Sequence, residues 1–192
     1  MIDVLKIALN AWIIQDGNYG EFDVGDDVAF AIEFYADEQA VEVVAPASAG
    51  RSVQHVVNST YRVSCPIVYL AADWWVVDIG IPIYGQGLAP PGAASGKWLH
   101  GDISLGIDPF FYFERLAKMP DSPALILDWT VNAIDIQIAP FVEIRPGLRA
   151  RDSARRGWRQ ITKTDAWRDD DGNAEYLLHC SPKSLTARRS LD

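Results

Sequence analysis

Apolar and polar positions alternate along most of the chain, the pattern of strands that bury one face. Leu5, Ile7, Leu9, Ala11 and Ile13 share one parity, and Val28, Phe30, Ile32 and Phe34 share another run, opposite Glu33 and Tyr35. Between them, Asp16-Gly17-Asn18-Tyr19-Gly20 is turn chemistry, because Gly and Asn enter positive φ at low cost. The first 36 residues therefore read as an antiparallel hairpin with a long connection. Tyr61, Val63, Cys65, Ile67 and Tyr69 continue the alternation, followed by Trp75, Val77, Ile79, Ile81 and Ile83 with Asp78, Gly80, Pro82 and Tyr84 on the other face. Pro82 cannot donate to a ladder, which predicts an edge or a bulge near that strand's end.

Residues 85–96 carry Gly85, Gly87, Pro90, Pro91, Gly92 and Gly96 among small side chains and read as a loop. A strand resumes at Trp98–Ile107, and Leu125, Leu127, Trp129 and Val131 alternate before the apolar parity passes to Ile134, Ile136 and Ile138. A period-two pattern changes parity only through an inserted residue or a turn, so Asn132-Ala133 should be one or the other. Asp171-Gly172 is expected to close a last hairpin between residues 158–168 and 174–180. Helical spacing is confined to residues 109–119, through Phe113, Leu116 and Ala117, and to 148–156. About nine strands separated by turn signals predict an all-β, mainly antiparallel sandwich or barrel with one or two short helices.

Within residues 61–131, the strand from Tyr61, the Val77-Asp78-Ile79-Gly80 strand, the Gly/Pro loop and the Gly101-Asp102 opening of the next strand resemble an oligonucleotide/oligosaccharide-binding (OB) barrel. The resemblance spans about a third of the chain and implies an OB-like middle. It implies no particular ligand, since that architecture hosts many functions.

Composition narrows the class. With 192 residues, 49% hydrophobic and 22% charged, the chain can bury a core unaided, and disorder, collagen and coiled coil are excluded. Cys65 and Cys180 lie far apart in apolar surroundings and predict two buried thiols in a reducing compartment. The apolar stretch over residues 4–14 carries Lys6 and Asn10, so it reads neither as a signal peptide nor as a membrane span; a cytoplasmic protein is expected.

The formal charge of −9 is unevenly spread. Residues 1–144 hold 19 acidic and 6 basic side chains, net −13, and residues 145–192 hold 7 acidic and 11 basic, net +4. This divides the chain into an acidic β-domain over 1–144 and a basic C-terminal segment over 145–192 that docks on the same domain. Arg145, Arg149, Arg151, Arg155, Arg156, Arg159 and Lys163 face only Asp152 within their run. They are expected to lie against the acidic body of their own or a neighbouring chain, with Arg155, Arg156 and Arg159 as interface residues. Phosphate contacts, with Trp158 stacked on a base, are the competing reading, and the acidity of the remaining chain argues against a polyanion.

Motifs for cofactors fail when counted. Gly92 to Lys97 has three residues between its glycines where a phosphate loop needs four, and Trp98 stands where the magnesium-binding hydroxyl belongs. Placing Gly172 at the sixth position of a calcium loop puts Trp167 where the first carboxylate should be. No cofactor or metal site is expected. Of the three histidines, His55, His100 and His179, only His100 has a carboxylate two residues on. His100 and Asp102 share a strand face about 7 Å apart and, with Asp78, are the candidate catalytic residues for acid–base or metal-assisted chemistry. Parity puts Trp75 in the core and Trp74 on the face of Asp78 and Tyr84, so Trp74, Tyr84 and Trp98 are candidate ligand-binding residues beside the loop. Phe110, Phe111, Tyr112 and Phe113 exceed what a short element buries and predict a subunit interface. The sequence thus points to a ligand-binding or protein-interaction module, self-associating or joined to another protein. A small enzyme at Asp78, His100 and Asp102 and a nucleic-acid-binding module are the alternatives.

Overall fold

Most of the alternating runs become strands, and five of them close on one another. The computed structural model describes residues 3–37, 40–46 and 50–190; it is 51% strand and 10% helix. β1 (Leu5–Asn10) buries Leu5, Ile7 and Leu9. The chain then turns into a short helix, α1 (Ala11–Gln15), that buries Ala11, Ile13 and Ile14. Ala11 and Ile14 lie three apart, a spacing that suits a helical turn, so alternation through Ile13 does not require a longer strand. The hairpin expected over the first 36 residues does not form. The run over residues 28–34 splits at Ala31 into β2 (Asp27–Phe30) and β3 (Ile32–Tyr35), and neither pairs with β1.

β4 (Val41–Val44) and β5 (Ser52–Val57) were not marked by the pattern, because neither has a buried face. β6 (Thr60–Leu70) is as expected, but the run over residues 75–83 folds into two strands, β7 (Trp74–Asp78) and β8 (Pro82–Gln86). At the turn, Ile79 N–H donates to Ile81 O at 3.1 Å and Gly80 N–H to Asp78 Oδ1 at 2.8 Å, with Gly80 at φ 117°. Ile79 and Ile81 are both buried at this turn, so apolar parity passes through it undisturbed. Pro82 opens β8, where a missing donor is tolerated.

β9 (Trp98–Ile107) follows the Gly/Pro loop. α2 (Phe111–Glu114) and a 3-10 turn at Leu116–Lys118 are the short helix expected at 109–119. β10 (Leu127–Ile138) carries the parity change as a bulge between Val131 and Ala133. β11 (Phe141–Arg145) and β12 (Leu148–Arg151) form a separate two-stranded arm, so residues 148–156 are strand and 3-10 turn and not an α-helix. β13 (Gly157–Ile161) and β14 (Glu175–Pro182) flank β10 on opposite sides and do not pair with each other, which corrects the expected last hairpin. The excursion between them is pinned elsewhere: Ala166 N–H donates to Glu21 Oε1 at 3.0 Å and Phe22 N–H to Thr164 Oγ1 at 2.9 Å.

The closed ring runs β6-β7-β8-β3-β9 and back to β6. All its contacts are antiparallel except β3 with β8. Counted from β6, this is the cyclic order of an OB barrel whose fifth strand is supplied from the N-terminal side. The OB-like expectation thus holds for the ring, although one of its strands lies outside residues 61–131. Inside, Ile32, Phe34, Val63, Cys65, Ile67, Trp75, Val77, Ile83 and Leu105 form a core continuous with β1, β10 and β14. Burial of each such side chain contributes roughly 1.5–3 kcal/mol. On the outer face, Ala31, Trp74, Val76 and Tyr84 are covered by Tyr112, Leu116, Leu125 and Ile126. Residues from 112 to 126 thereby form a second layer, and it is this layer that buries polar groups on the barrel's outside.

Candidate functional site

β3 places Glu33 and Tyr35 on the outer face of the barrel. Glu33 stands opposite Tyr84 of β8 and Gly106 of β9. Asp108 lies one pleat beyond Gly106, which makes it the diagonal neighbour of Glu33 on that face, with about 7–8 Å between such positions. Both carboxyls are enclosed: Glu33 is 2% exposed and Asp108 0%. Tyr35 Oη donates to Glu33 Oε2 at 2.7 Å, and the Gln86 side chain also bonds Glu33. Tyr84 Oη donates to Asp108 Oδ1 at 2.5 Å, joined by Tyr112 N–H at 3.1 Å. Asp108 Oδ2 has no partner.

Two glycines make the arrangement possible. A Cβ on Gly85 would sit 2.8 Å from Phe34 Cζ, and one on Gly106 would sit 3.2 Å from Tyr35 Cε2. The bare backbone at Gly85 admits the Phe34 ring, which meets Trp75 edge to face at 4.8 Å. The bare backbone at Gly106 admits Tyr35 across β9 toward Glu33.

Burial pushes the Glu33 carboxyl above its ordinary range, and the nearby Asp108 adds to this against the hydrogen bonds from Tyr35 and Gln86. Burial also raises Asp108, to about 6, with Glu114 adding to the rise and the bonds from Tyr84, Tyr112 and Phe111 opposing it. The Tyr19, Tyr35 and Tyr84 hydroxyls are held neutral by burial and by these carboxyls. Among the described residues, neither carboxyl has a Lys, Arg or His against it.

Glu33 opens into a cleft of about 480 Å³ at the barrel mouth. Phe34, Tyr35 and Trp75 supply aromatic walls, Gln86 a polar one, and Leu88 and Pro90 of the Gly/Pro loop form the rim. Leu88, an apolar side chain on this rim, is 83% exposed. Apolar walls with a few fixed polar groups are the usual make-up of a small-molecule site, and the volume falls in the usual range.

The residues singled out from sequence are distributed otherwise. His100 is exposed and shares a shallow depression with Asp102, Arg62 and Glu42. Arg62 grips Asp102 with two bonds, Nε to Oδ1 at 2.7 Å and a terminal nitrogen to Oδ2 at 2.9 Å. Asp78 is engaged by Arg51 at 2.5 Å and by Gly80 N–H. Trp74 and Tyr84 are wholly buried under the second layer; of the two only Tyr84 reaches the carboxyl pair, by its hydroxyl. Trp98 is half-buried at the start of β9. The aromatic run finds partners in its own chain: Phe110, at φ 73°, stacks on Phe113 at 4.5 Å, Tyr112 is buried, and Arg115 lies over Phe111 at 5.3 Å.

Along the basic segment, Arg151 lies over the Phe141 ring at 4.5 Å and pairs with Asp170, while Arg155 pairs with Asp152 at 2.5 Å. Arg156 and Arg159 are exposed and make no ion pair among the described residues; the Arg149 side chain lies outside the described residues. Glu33 escaped the sequence reading because it sits on the polar parity of its strand. Compared with protein-family models, curated proteins and solved structures, the chain finds no match in any of the three.

Proposed function

We propose that the protein is a binding module for a small organic ligand, held in the cleft at the barrel mouth with Glu33 as its polar anchor. The observation that carries this reading is the meeting, in one cleft, of a 2% exposed carboxyl with aromatic walls and an apolar rim. A carboxyl so enclosed sacrifices hydration, and a ligand that donates to it restores the lost bonds. No helix among the described residues is long and apolar enough to cross a membrane, and the two buried free thiols support a reducing, cytoplasmic setting.

The test is a fragment screen by two-dimensional NMR that follows the Trp75 indole and Gln86 side-chain amide signals. Hits that shift both, and lose this effect in Glu33→Gln, support the reading. Hits that leave both signals unmoved, or a screen without hits, refute it.

A second reading concerns the β11–β12 arm. Phe141, Ile144 and Leu148 are 48%, 55% and 49% exposed on it, and Arg156 and Arg159, which follow it in the chain, make no ion pair among the described residues. Exposed apolar side chains on the arm and free cations support contact with the acidic body of another chain. Sedimentation showing an assembly that dissociates in high salt supports this contact, and a monomer at all protein concentrations and salts excludes it.

A further inference from the structure

The barrel-mouth cleft has a charge imbalance that its own chain leaves uncorrected. Glu33 and Asp108 are diagonal neighbours on one sheet face, both buried, and the groups that bond them are neutral: Tyr35 and Gln86 at Glu33, Tyr84 and the Tyr112 amide at Asp108. Several carboxylates elsewhere on the chain are met by cations. Arg51 answers Asp78, Arg62 answers Asp102, Lys183 answers Asp27, and Arg188 answers Asp128. Glu33 at the cleft and Asp108 behind it have no such cation among the described residues.

Asp108 Oδ2 adds an independent sign, since it is a fully buried acceptor with no hydrogen-bond partner. Buried acceptors left this way are uncommon and ask for an explanation. A positive ligand at Glu33 would act on both carboxyls, because their charges already influence one another. The remainder of the cleft suits such a ligand. Tyr35 shares the carboxyl's face and bonds it, and Phe34 and Trp75 line the same cleft from the barrel's inner side; aromatic rings attract cations by their quadrupole, most strongly when both are shielded from water. An aromatic wall without an acid would serve any apolar ligand, and an acid without the wall would serve a metal ion or a lysine. Their combination selects an organic ammonium.

We propose that the cleft binds an organic cation with an alkylated ammonium head, seated at Glu33 in the cleft that Phe34, Tyr35 and Trp75 line, with Leu88 of the Gly/Pro loop at its apolar end. This rests on the ligand-binding reading of the same cleft and narrows it to one class. Binding is coupled to protons. The titratable groups facing the pair are Tyr19, Tyr35, Tyr84, Tyr112 and Glu114; the tyrosines stay neutral in the physiological range, so the two buried carboxyls dominate the response. A cation favours their ionised forms, and affinity rises with pH through the range in which they lose protons.

The test uses the full chain and three probes of equal shape: choline, its neutral carbon analogue 3,3-dimethylbutan-1-ol, and the anion 3,3-dimethylbutanoate. Binding is followed by the Trp75 indole and Gln86 amide signals at several pH values. The expected result is choline binding about tenfold or more tighter than the neutral analogue at pH 7.5, the anion not binding, and the preference shrinking as pH falls toward about 5. Glu33→Gln should abolish the preference for choline and keep the weak binding of the alcohol. Because that variant perturbs a buried group, Gln86→Ala serves as a second: it should weaken choline while leaving the pH dependence in place. Equal or tighter binding of the alcohol or the anion overturns the cation class and leaves the cleft as a ligand site. Silence from all three probes, when screened fragments do shift the two signals, likewise overturns the class alone; silence from probes and fragments together overturns the class and the site.

Discussion

Replacing Asp108 by Asn tests the electrostatics of the carboxyl pair through stability. The amide keeps the side chain's shape, and its oxygen can still accept from Tyr84 Oη and Tyr112 N–H. What is lost is the proton equilibrium. Asp108 titrates near 3.8 in the unfolded chain and at about 6 in the folded one, chiefly because burial disfavours its charge. The folded state therefore holds this proton more tightly than the unfolded state. Its contribution to stability is fully present below about pH 4 and is lost as pH rises through about 6, by roughly 3 kcal/mol. Asp108→Asn has no such loss. It leaves one buried amide N–H unpaired in the place of Oδ2, a pH-independent penalty of about 1–3 kcal/mol.

The absolute stability of the variant at one pH therefore decides little, and the pH dependence of the difference decides much. Urea unfolding of both proteins, followed by tryptophan fluorescence between about pH 4 and 7.5, should show the variant gaining roughly 3 kcal/mol on the parent across that range. The paired acids Asp27, Asp102, Asp128 and Asp152, all held below their ordinary range by their cations, act in the opposite sense: their stabilisation is lost as pH falls. Being common to both proteins, they cancel in the difference. Stability curves that run parallel to within about 0.5 kcal/mol would refute the assignment of a raised Asp108.

Gly85→Ala should destabilise the fold by about 1–3 kcal/mol, because its Cβ would meet the Phe34 ring at 2.8 Å; the midpoint of urea unfolding checks this, and an unchanged midpoint counters it. Trp129→Ala should lower stability by about 3–5 kcal/mol, since the ring is wholly buried and stacks on Phe30 at 5.3 Å. Arg151→Ala removes the side chain that ties the arm to Asp170 and packs over Phe141 within it; amide exchange should quicken across Phe141–Arg145 and Leu148–Arg151 while global stability moves by about 0.5 kcal/mol or less. Cys65 and Cys180, both buried and raised to about 12 by burial, should resist a thiol reagent at pH 8 until the protein unfolds.

Which parts of this molecule could be read from sequence follows from what alternation reports. It marks a strand by one buried face, so β6, β9 and the bulge in β10 were legible, and exposed β4 and β5 were not. It reports parity and not pairing, so two strands joined by a buried turn, β7 and β8, looked like one. Strands β13 and β14 looked like a hairpin because Asp171-Gly172 stood between them. The cleft was half legible: the Gly/Pro loop was marked, and Trp75 was placed in the core. Glu33 was placed only opposite the apolar face of its strand, because the groups around it, Tyr84, Gln86 and Asp108, come from strands and a turn far along the chain. His100 and Asp102 drew attention through spacing alone, yet spacing is silent about Arg62, which reaches Asp102 from a neighbouring strand.

The proposed cation site stands on two buried carboxyls. Carbon-13 NMR of the Glu33 and Asp108 carboxyl signals, titrated with acid in the free protein and with excess choline, tests it most directly. In the free protein Asp108 should titrate at about 6 and Glu33 above its ordinary range, and both midpoints should fall when choline is present. Ordinary midpoints for both groups, unmoved by choline, would contradict the account.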